Sequence, residues 1–231
     1  MRIIVFGANG PTGRLLTGQA LAAGHDVVAV TRRPEEFPIE HERLTVFGGD
    51  VLRSESVDTA VAGADAVLSA LGVPYGKEPI TTYSIGVGNM IAAMRRHGVR
   101  RIGVVSSSAV DPKPYSDAGF LFNRVLQPYI VRVMGKTLYD DMRRMETLLR
   151  ASDLDWTIVR PGGLYELPDV TDYTMMEGHV DARYTARVDL AASLLRLVGD
   201  DRFVRMIVGV VSTTDNPSLL QLIRTEALGK S

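Results

Sequence analysis

The chain contains no cysteine, which excludes disulfide bonds, thiolate nucleophiles and zinc or iron–sulfur centres held by cysteine. The four histidines, His25, His41, His97 and His179, show no spacing typical of metal ligands. We therefore expect no metal site. Any redox chemistry would have to come from a bound organic cofactor.

An excess of charge and long hydrophobic runs are also missing. The 26 basic and 27 acidic residues leave a formal net charge of -1, which argues against nucleic acid or an anionic membrane as a partner. The apolar run before Gly7 is too short for a signal peptide, and no run approaches the roughly 18 apolar residues of a membrane span. With 45% hydrophobic residues the chain can bury a sizeable core. We expect a cytoplasmic protein, monomer or homo-dimer, whose partner is a small molecule.

Short β-branched runs alternate with amphipathic helical patterns along the chain. Strands are predicted at 3–6, 27–31, 44–47, 66–69, 101–106, 156–160 and 205–208, and helices at 11–23, 80–97, 136–152, 188–198 and 217–228. Strands that are apolar on both faces and joined by helices indicate a parallel sheet covered on both sides. We predict an α/β fold with a doubly wound parallel sheet flanked by helices, in one domain over residues 1–231. A flavodoxin-like sheet is the alternative order.

Three irregular loops are predicted after the later strands, near residues 72–80, 107–123 and 161–186. Ligands of open α/β sheets bind beyond the carboxyl ends of the strands, so these loops are expected to surround the substrate. The last loop carries a large apolar load, as a lid would need, in Tyr165, Tyr173, Met175 and Met176.

The strongest motif is Gly7-Ala8-Asn9-Gly10-Pro11-Thr12-Gly13, between the first strand and the first helix. Its three glycines permit a sharp turn, a close approach of backbone to a pyrophosphate, and tight packing of helix on sheet. Pro11 suits the first turn of a helix, whose free amides attract phosphate. The motif therefore predicts a dinucleotide site in a Rossmann-type sheet, although a tight turn without a ligand is the alternative.

The end of the second strand reads Thr31-Arg32-Arg33, where a site for NAD would hold an acidic residue for the ribose 2′-hydroxyl. A guanidinium can instead hold the 2′-phosphate of NADP through charge-assisted hydrogen bonds. We therefore predict NADP(H) in preference to NAD(H). The alternative is that both arginines are solvated surface charges.

The G-x-x-G-x-x-G spacing resembles the short-chain dehydrogenase/reductase superfamily, and residues 148–163 resemble its atypical NmrA-like branch, which includes the biliverdin and flavin reductases. The resemblance implies that cofactor contacts follow the third, fourth, fifth and sixth strands. The residues at those positions are Asp50, Val51, Ala70, Leu71, Gly72, Ser106, Pro161 and Gly162. As alternatives, Asp50 could cap the next helix and Gly72 could simply end a strand.

The superfamily's catalytic Tyr-x-x-x-Lys pair is absent, because none of the four lysines has a tyrosine four residues before it. Its positions align with Leu138 and Met142, on a face expected to pack against the sheet or line an apolar pocket. Tyr139 lies one residue along, and a modest rotation of the helix would bring it to the site; a surface tyrosine beside Arg143 is the alternative. The resemblance also places a substrate-orienting hydroxyl at Ser107, which could polarise a carbonyl or merely satisfy local backbone.

These features predict an NADP-dependent oxidoreductase that reduces a small, mostly apolar carbonyl or conjugated substrate, with Ser107 and Tyr139 as the catalytic candidates. The missing pair leaves two alternatives: a non-catalytic NADP-binding redox sensor or regulator, and a non-redox isomerase or cyclase that uses the same fold.

Overall fold

The structure is a computed structural model that describes residues 1–76 and 78–213. The helix predicted at 217–228 lies outside the described residues. Among the helices that are described, none combines the length and the hydrophobicity that a bilayer span requires.

Eight strands form the main sheet, in the order β3-β2-β1-β4-β5-β6-β10-β8. They are β1 (Arg2–Phe6), β2 (Asp26–Thr31), β3 (Leu44–Gly48), β4 (Ala66–Ser69), β5 (Arg101–Val105), β6 (Asp155–Pro161), β8 (Tyr173–Glu177) and β10 (Met206–Ser212). All neighbours pair in parallel except β8 and β10. The doubly wound parallel sheet is therefore confirmed, with an antiparallel strand added at one edge.

Helices cover both faces of this sheet. The longer ones are α1 (Pro11–Ala22), α2 (Ser54–Val61), α3 (Thr82–His97), α6 (Lys136–Arg150) and α7 (Arg187–Arg196). Short α4 (Gly119–Leu121) and α5 (Gln127–Tyr129) alternate with the π-helical turns Phe122–Leu126 and Ile130–Met134. These four pieces follow one another directly and form one helical segment, 119–134, part of which falls in the loop predicted at 107–123.

Alternation along the strands builds two cores. In β1, Ile3 and Val5 face the layer that contains α1 and α7, whereas Ile4 and Phe6 face the layer of α2, α3 and α6. All four side chains are fully buried, because a parallel sheet covered on both faces has no solvent side. The sheet is thereby held rigidly, and its carboxyl edge provides a fixed platform.

The loop predicted at 161–186 is wrong, because this stretch contains three strands. β7 (Gly163–Tyr165) and β9 (Tyr184–Ala186) form a small parallel sheet, and β8 extends the main sheet. Tyr173 and Met175 pack against the core of the α1 and α7 layer, and Tyr165 is buried in a smaller cluster. Pairing with β10 satisfies the β8 backbone and turns alternate residues inward, so these side chains build core rather than a lid. Of the four, Met176 alone is exposed.

Candidate functional site

A cleft of about 550 Å³ opens at the carboxyl edge of the sheet, where β1 and β4 lie side by side. The chain winds from β1 toward β3 on one side and from β4 toward β6 on the other, so this is the switch point at which open α/β sheets bind ligands. Thirteen of the predicted cofactor residues line the cleft: Gly7, Asn9, Gly10, Pro11, Thr12, Thr31, Arg32, Arg33, Asp50, Val51, Ala70, Leu71 and Gly72.

The glycines of the first loop are required by its geometry. Gly7 has φ +75°, and a Cβ there would lie 2.7 Å from the carbonyl oxygen of Ala70. A Cβ on Gly13 would lie 2.1 Å from the Gly7 oxygen, so Gly13 sits beneath the loop and permits close packing of α1. A Cβ on Gly10 would meet only the Gly7 oxygen, at 3.3 Å, which leaves open space above the loop. The loop therefore forms a shallow cradle at the amino end of α1, of the kind that accepts a pyrophosphate.

The two arginines after β2 differ in how free they are. Arg33 pairs with Glu36 across 3.0 Å, and its backbone amide donates to the Thr31 hydroxyl. Arg32 has no hydrogen-bond or ion-pair partner in the part of the chain that the structure describes. Of the two side chains that line this end of the cleft, Arg32 is thus the one available to an anionic ligand.

Asp50 and Val51 lie across the cleft from the glycine loop, after β3. The Asp50 carboxylate accepts from the Leu52 amide at 3.0 Å, while α2 has Arg53 at its N-cap and no side-chain cap. The alternative of a helix-capping Asp50 is therefore not what the structure shows. The Val51 carbonyl accepts from the side-chain Nδ2 of Asn89 in α3, at 2.8 Å, which fixes the wall of the cleft.

Arg187, at the start of α7, lines the cleft beside the glycine loop and was not among the predicted site residues. Its guanidinium lies 3.4 Å from the Thr12 hydroxyl and 2.7 Å from a carboxylate oxygen of Glu166. Two residues on, buried Asp189 accepts from the Thr171 amide and hydroxyl, both at 2.7 Å, and anchors this end of α7. The only signal in the sequence was a cation at a helix start that follows a strand.

Ser106 and Pro161, predicted to touch the cofactor, are both buried and do not line the cleft. The Ser106 hydroxyl donates to Glu146 at 2.7 Å, and Glu146 is also bound by Arg160 through two contacts of 2.9 and 2.5 Å. This network joins α6 to the ends of β5 and β6. It commits the Ser106 side chain to the core.

Gly162, another predicted cofactor residue, lines a second cavity of about 150 Å³ at the ends of β5, β6 and β10. Its amide donates to the Thr185 hydroxyl, and a Cβ on Gly162 would lie 2.3 Å from the Arg183 oxygen. Arg160, Lys113 and His179 also line this cavity. The position requires glycine because β9 passes directly over it.

The two predicted catalytic residues come together although neither lines the cleft. Tyr139 is 5% exposed, so the alternative of a surface tyrosine is wrong. Its hydroxyl bonds to the Tyr75 hydroxyl at 2.7 Å and also interacts with the Ser107 hydroxyl. Ser107 accepts from the Ala109 amide at 3.2 Å, so it serves local backbone as well. Tyr75, half-exposed, connects this chain of hydroxyls to solvent.

Burial controls the protonation of Tyr139. It raises the pKa of the phenol well above its ordinary value, Tyr75 adds to that effect, and Ser107 offsets only part of it. Arg143, four residues on, does not act as the missing lysine. Its guanidinium donates to the Val110 carbonyl at 3.0 Å and to Asp140 at 2.8 Å. Tyr139 is therefore a protonated donor at neutral pH. Among the described residues, no cluster of three or more His, Asp or Glu could hold a metal.

Comparison with known proteins bears on this site. Residues 7–201 match the model of a protein family described as NAD(P)H-binding. An uncharacterized chloroplastic protein of Arabidopsis thaliana is 28% identical over 209 residues, which cover 84% of this chain and 72% of that protein. A 3-beta-hydroxysteroid dehydrogenase of Mycolicibacterium neoaurum is 29% identical over 120 residues, 47% of this chain and 32% of that enzyme. An uncharacterized protein of Mycobacterium bovis is 35% identical over 114 residues, which cover 49% of this chain and 13% of that protein.

Among solved structures, a short-chain dehydrogenase/reductase from Veillonella parvula in complex with NADP superposes with a TM-score of 0.77. It is 22% identical, and the superposition covers 94% of this chain and 99% of that one. This similarity shows a shared fold.

Proposed function

The chain belongs to the NAD(P)H-binding family, an oxidoreductase-like group, and we propose that it is an NADP-dependent reductase of a small, mostly apolar carbonyl or conjugated substrate. The expected resemblance to the short-chain dehydrogenase/reductase superfamily, in its atypical branch, is confirmed by this family and by the fold. The observation that carries the proposal is the cleft at the switch point of the sheet, with its glycine cradle.

The residues present fit a phosphorylated dinucleotide. The cradle of Gly7 and Gly10 and the amino end of α1 suit the pyrophosphate. Arg187 lies on the same side, where its guanidinium is shared between Glu166 and the cleft. Arg32 suits the 2′-phosphate that distinguishes NADP from NAD, and Asp50 suits the adenine end. When bound, the reduced nicotinamide supplies a hydride.

Hydroxyl groups of this chain would supply the proton that the substrate takes up during reduction. Val105 lines the cleft two residues before Ser107, and Pro74 lines it immediately before Tyr75, so the hydroxyl chain borders the far end of the cleft. We assign Ser107 to donate to a substrate carbonyl oxygen, where negative charge develops. Tyr139 holds its proton at neutral pH, and Tyr75 links it to water, which replaces each proton consumed.

The test is consumption of NADPH against a panel of quinones, flavins and ketones. Removal of a positioned proton donor usually lowers turnover by about 10² to 10⁴. We therefore expect Ser107→Ala and Tyr139→Phe to lower kcat by about that range, with little change in the affinity for NADPH. Tyr129→Phe, which removes the hydroxyl of a half-exposed tyrosine on the helical segment 119–134, is the matched control and should turn over normally. Unchanged kcat in both site variants would refute the assigned roles.

One observation favours a second candidate, a non-catalytic NADP sensor. Arg143 is turned toward Asp140 and Val110, so no cation in the described residues sits where the superfamily's lysine would activate the tyrosine. Tight binding of NADPH with no turnover of any substrate in the panel would establish the sensor instead of the reductase.

A further inference from the structure

The helical segment 119–134 exposes an unusual amount of apolar surface. Seven of its large apolar side chains are between 41 and 79% exposed: Phe120, Leu121, Val125, Leu126, Tyr129, Val133 and Met134. Soluble domains rarely leave contiguous apolar patches of this kind uncovered, and larger patches mark an interaction surface. The cofactor cleft does not include any of these residues.

Four of these side chains form a single line, which we term the apolar row: Leu121, Val125, Tyr129 and Val133. They are spaced four residues apart. An α-helix has 3.6 residues per turn, and here wider π turns alternate with α turns, so residues four apart stay on one face. The segment spans 16 residues, or roughly 24 Å at 1.5 Å per residue, and presents the row along its length.

The charges beside this row all have one sign. Three members of the row are each followed, three residues later, by a basic residue: Arg124, Arg132 and Lys136. Residues 118–139 contain no Asp or Glu. Lys136 pairs with Asp140 at the end of this stretch, but Arg124 and Arg132 have no partner among the described residues. An apolar row flanked by unneutralised arginines is typical of a helix that lies in the interface of an anionic membrane.

We propose that the helical segment 119–134 docks on the surface of an anionic lipid bilayer, with the apolar row inserted and Arg124 and Arg132 at the headgroups. The net charge of the whole chain, close to zero, led to the expectation of no membrane partner, but it conceals this local excess of positive charge. A second copy of the chain is a poorer occupant, because a two-fold contact along the row would bring like-charged arginines together with no carboxylate from residues 118–139. The inference does not depend on the proposed activity.

Flotation of the full-length protein with lipid vesicles tests the proposal. We expect the wild type to float with vesicles of phosphatidylcholine mixed with phosphatidylglycerol, and far less with phosphatidylcholine alone. Each basic residue near an anionic surface contributes a free energy equivalent to roughly fivefold in affinity, so the double variant Arg124→Gln/Arg132→Gln should bind about 25-fold more weakly. Val125→Glu should abolish binding, whereas Ile85→Glu, at a comparably exposed apolar position of α3, should not.

The position of the helix is tested by fluorescence with brominated lipids. Tryptophan at the row, in Tyr129→Trp, should be quenched, whereas Ile85→Trp should not, and buried Trp156 gives the same background in both. Failure of the wild type to float with the anionic vesicles would overturn the proposal. So would light scattering that shows a dimer which Val125→Glu dissociates, because a second copy would then be the occupant.

Discussion

Replacement of Arg32 should remove much of the preference for NADP over NAD. Arg32 lies where β2 meets the cleft, it has no partner among the described residues, and the carboxylate that an NAD site would need there is absent. The 2′-phosphate is the only chemical difference between the two nucleotides at this end. A change confined to Arg32 therefore separates recognition of that phosphate from binding of everything else.

The size of the effect follows from the kind of bond lost. Charge-assisted hydrogen bonds contribute about 1.5 to 3 kcal/mol, which corresponds to roughly tenfold to a hundredfold in affinity. Arg32 is exposed, so solvent screens part of this energy, and we expect the lower end of the range. Arg32→Ala should thus lower the affinity for NADPH about tenfold and leave the affinity for NADH unchanged.

Titration of each variant with NADPH and NADH, at low and at moderate salt, measures this directly. Arg33→Ala is the matched control: its guanidinium already pairs with Glu36, so the loss should be smaller. The loss in Arg32→Ala should shrink as salt is added. If Arg32→Ala kept the full preference for NADPH, Arg32 would not be the residue that recognises the 2′-phosphate.

Three further predictions concern the cofactor cleft and two buried side chains elsewhere in the fold. Arg187→Gln should weaken the binding of NADPH and of NADH by the same factor, because both share the pyrophosphate, and by less than the tenfold expected for Arg32→Ala, because Glu166 already pairs with the guanidinium; unequal losses in paired titrations would contradict this. Burial raises the pKa of Tyr83 to about 12, above its ordinary value of 10.0, so the stability it contributes is complete below pH 10.0 and is lost as the pH rises through about 12. Urea unfolding across this pH range should show the free energy of unfolding falling, and the fall should be smaller in Tyr83→Phe. A free energy of unfolding that stays constant with pH in the wild type would contradict the raised pKa of Tyr83. Glu146→Ala should cost about 1.5 to 3 kcal/mol in chemical denaturation because it removes the charge-assisted hydrogen bonds to partly buried Arg160, and a cost below about 1 kcal/mol would contradict that role.

The parts of the fold that rest on local pattern could be predicted from the sequence. The apolar runs predicted the parallel strands, and the spacing of Gly7, Gly10 and Gly13 predicted the cradle. The glycines could be predicted because the backbone atoms that exclude a side chain at each of them lie nearby, in the first loop itself or just after the adjacent β4. The edge strand β8 was missed because its alternating residues read as an apolar lid. Only its pairing with β10, more than 30 residues later, shows that Tyr173 and Met175 face the core.

The parts of the site that depend on distant contacts could not be predicted with the same precision. Arg187 reaches Thr12 across 175 residues of sequence, and Tyr75 meets Tyr139 across 64, distances that no local spacing encodes. The position of Tyr139 in its helix is compatible with either an exposed or a buried side chain. Only the packing of α6 against the loop after β4 shows that the side chain is buried.

Calorimetric titration of the purified protein with NADPH and NADH tests the central claim, that the glycine cradle holds a nicotinamide dinucleotide. We predict measurable heat with both nucleotides, and tighter binding of NADPH. Gly10→Val should keep the fold, because Gly10 has ordinary extended dihedral angles and a Cβ there would meet only the Gly7 oxygen, at 3.3 Å, yet it should abolish binding by filling the cradle. Absence of heat with either nucleotide, or unchanged binding in a folded Gly10→Val, would contradict the account.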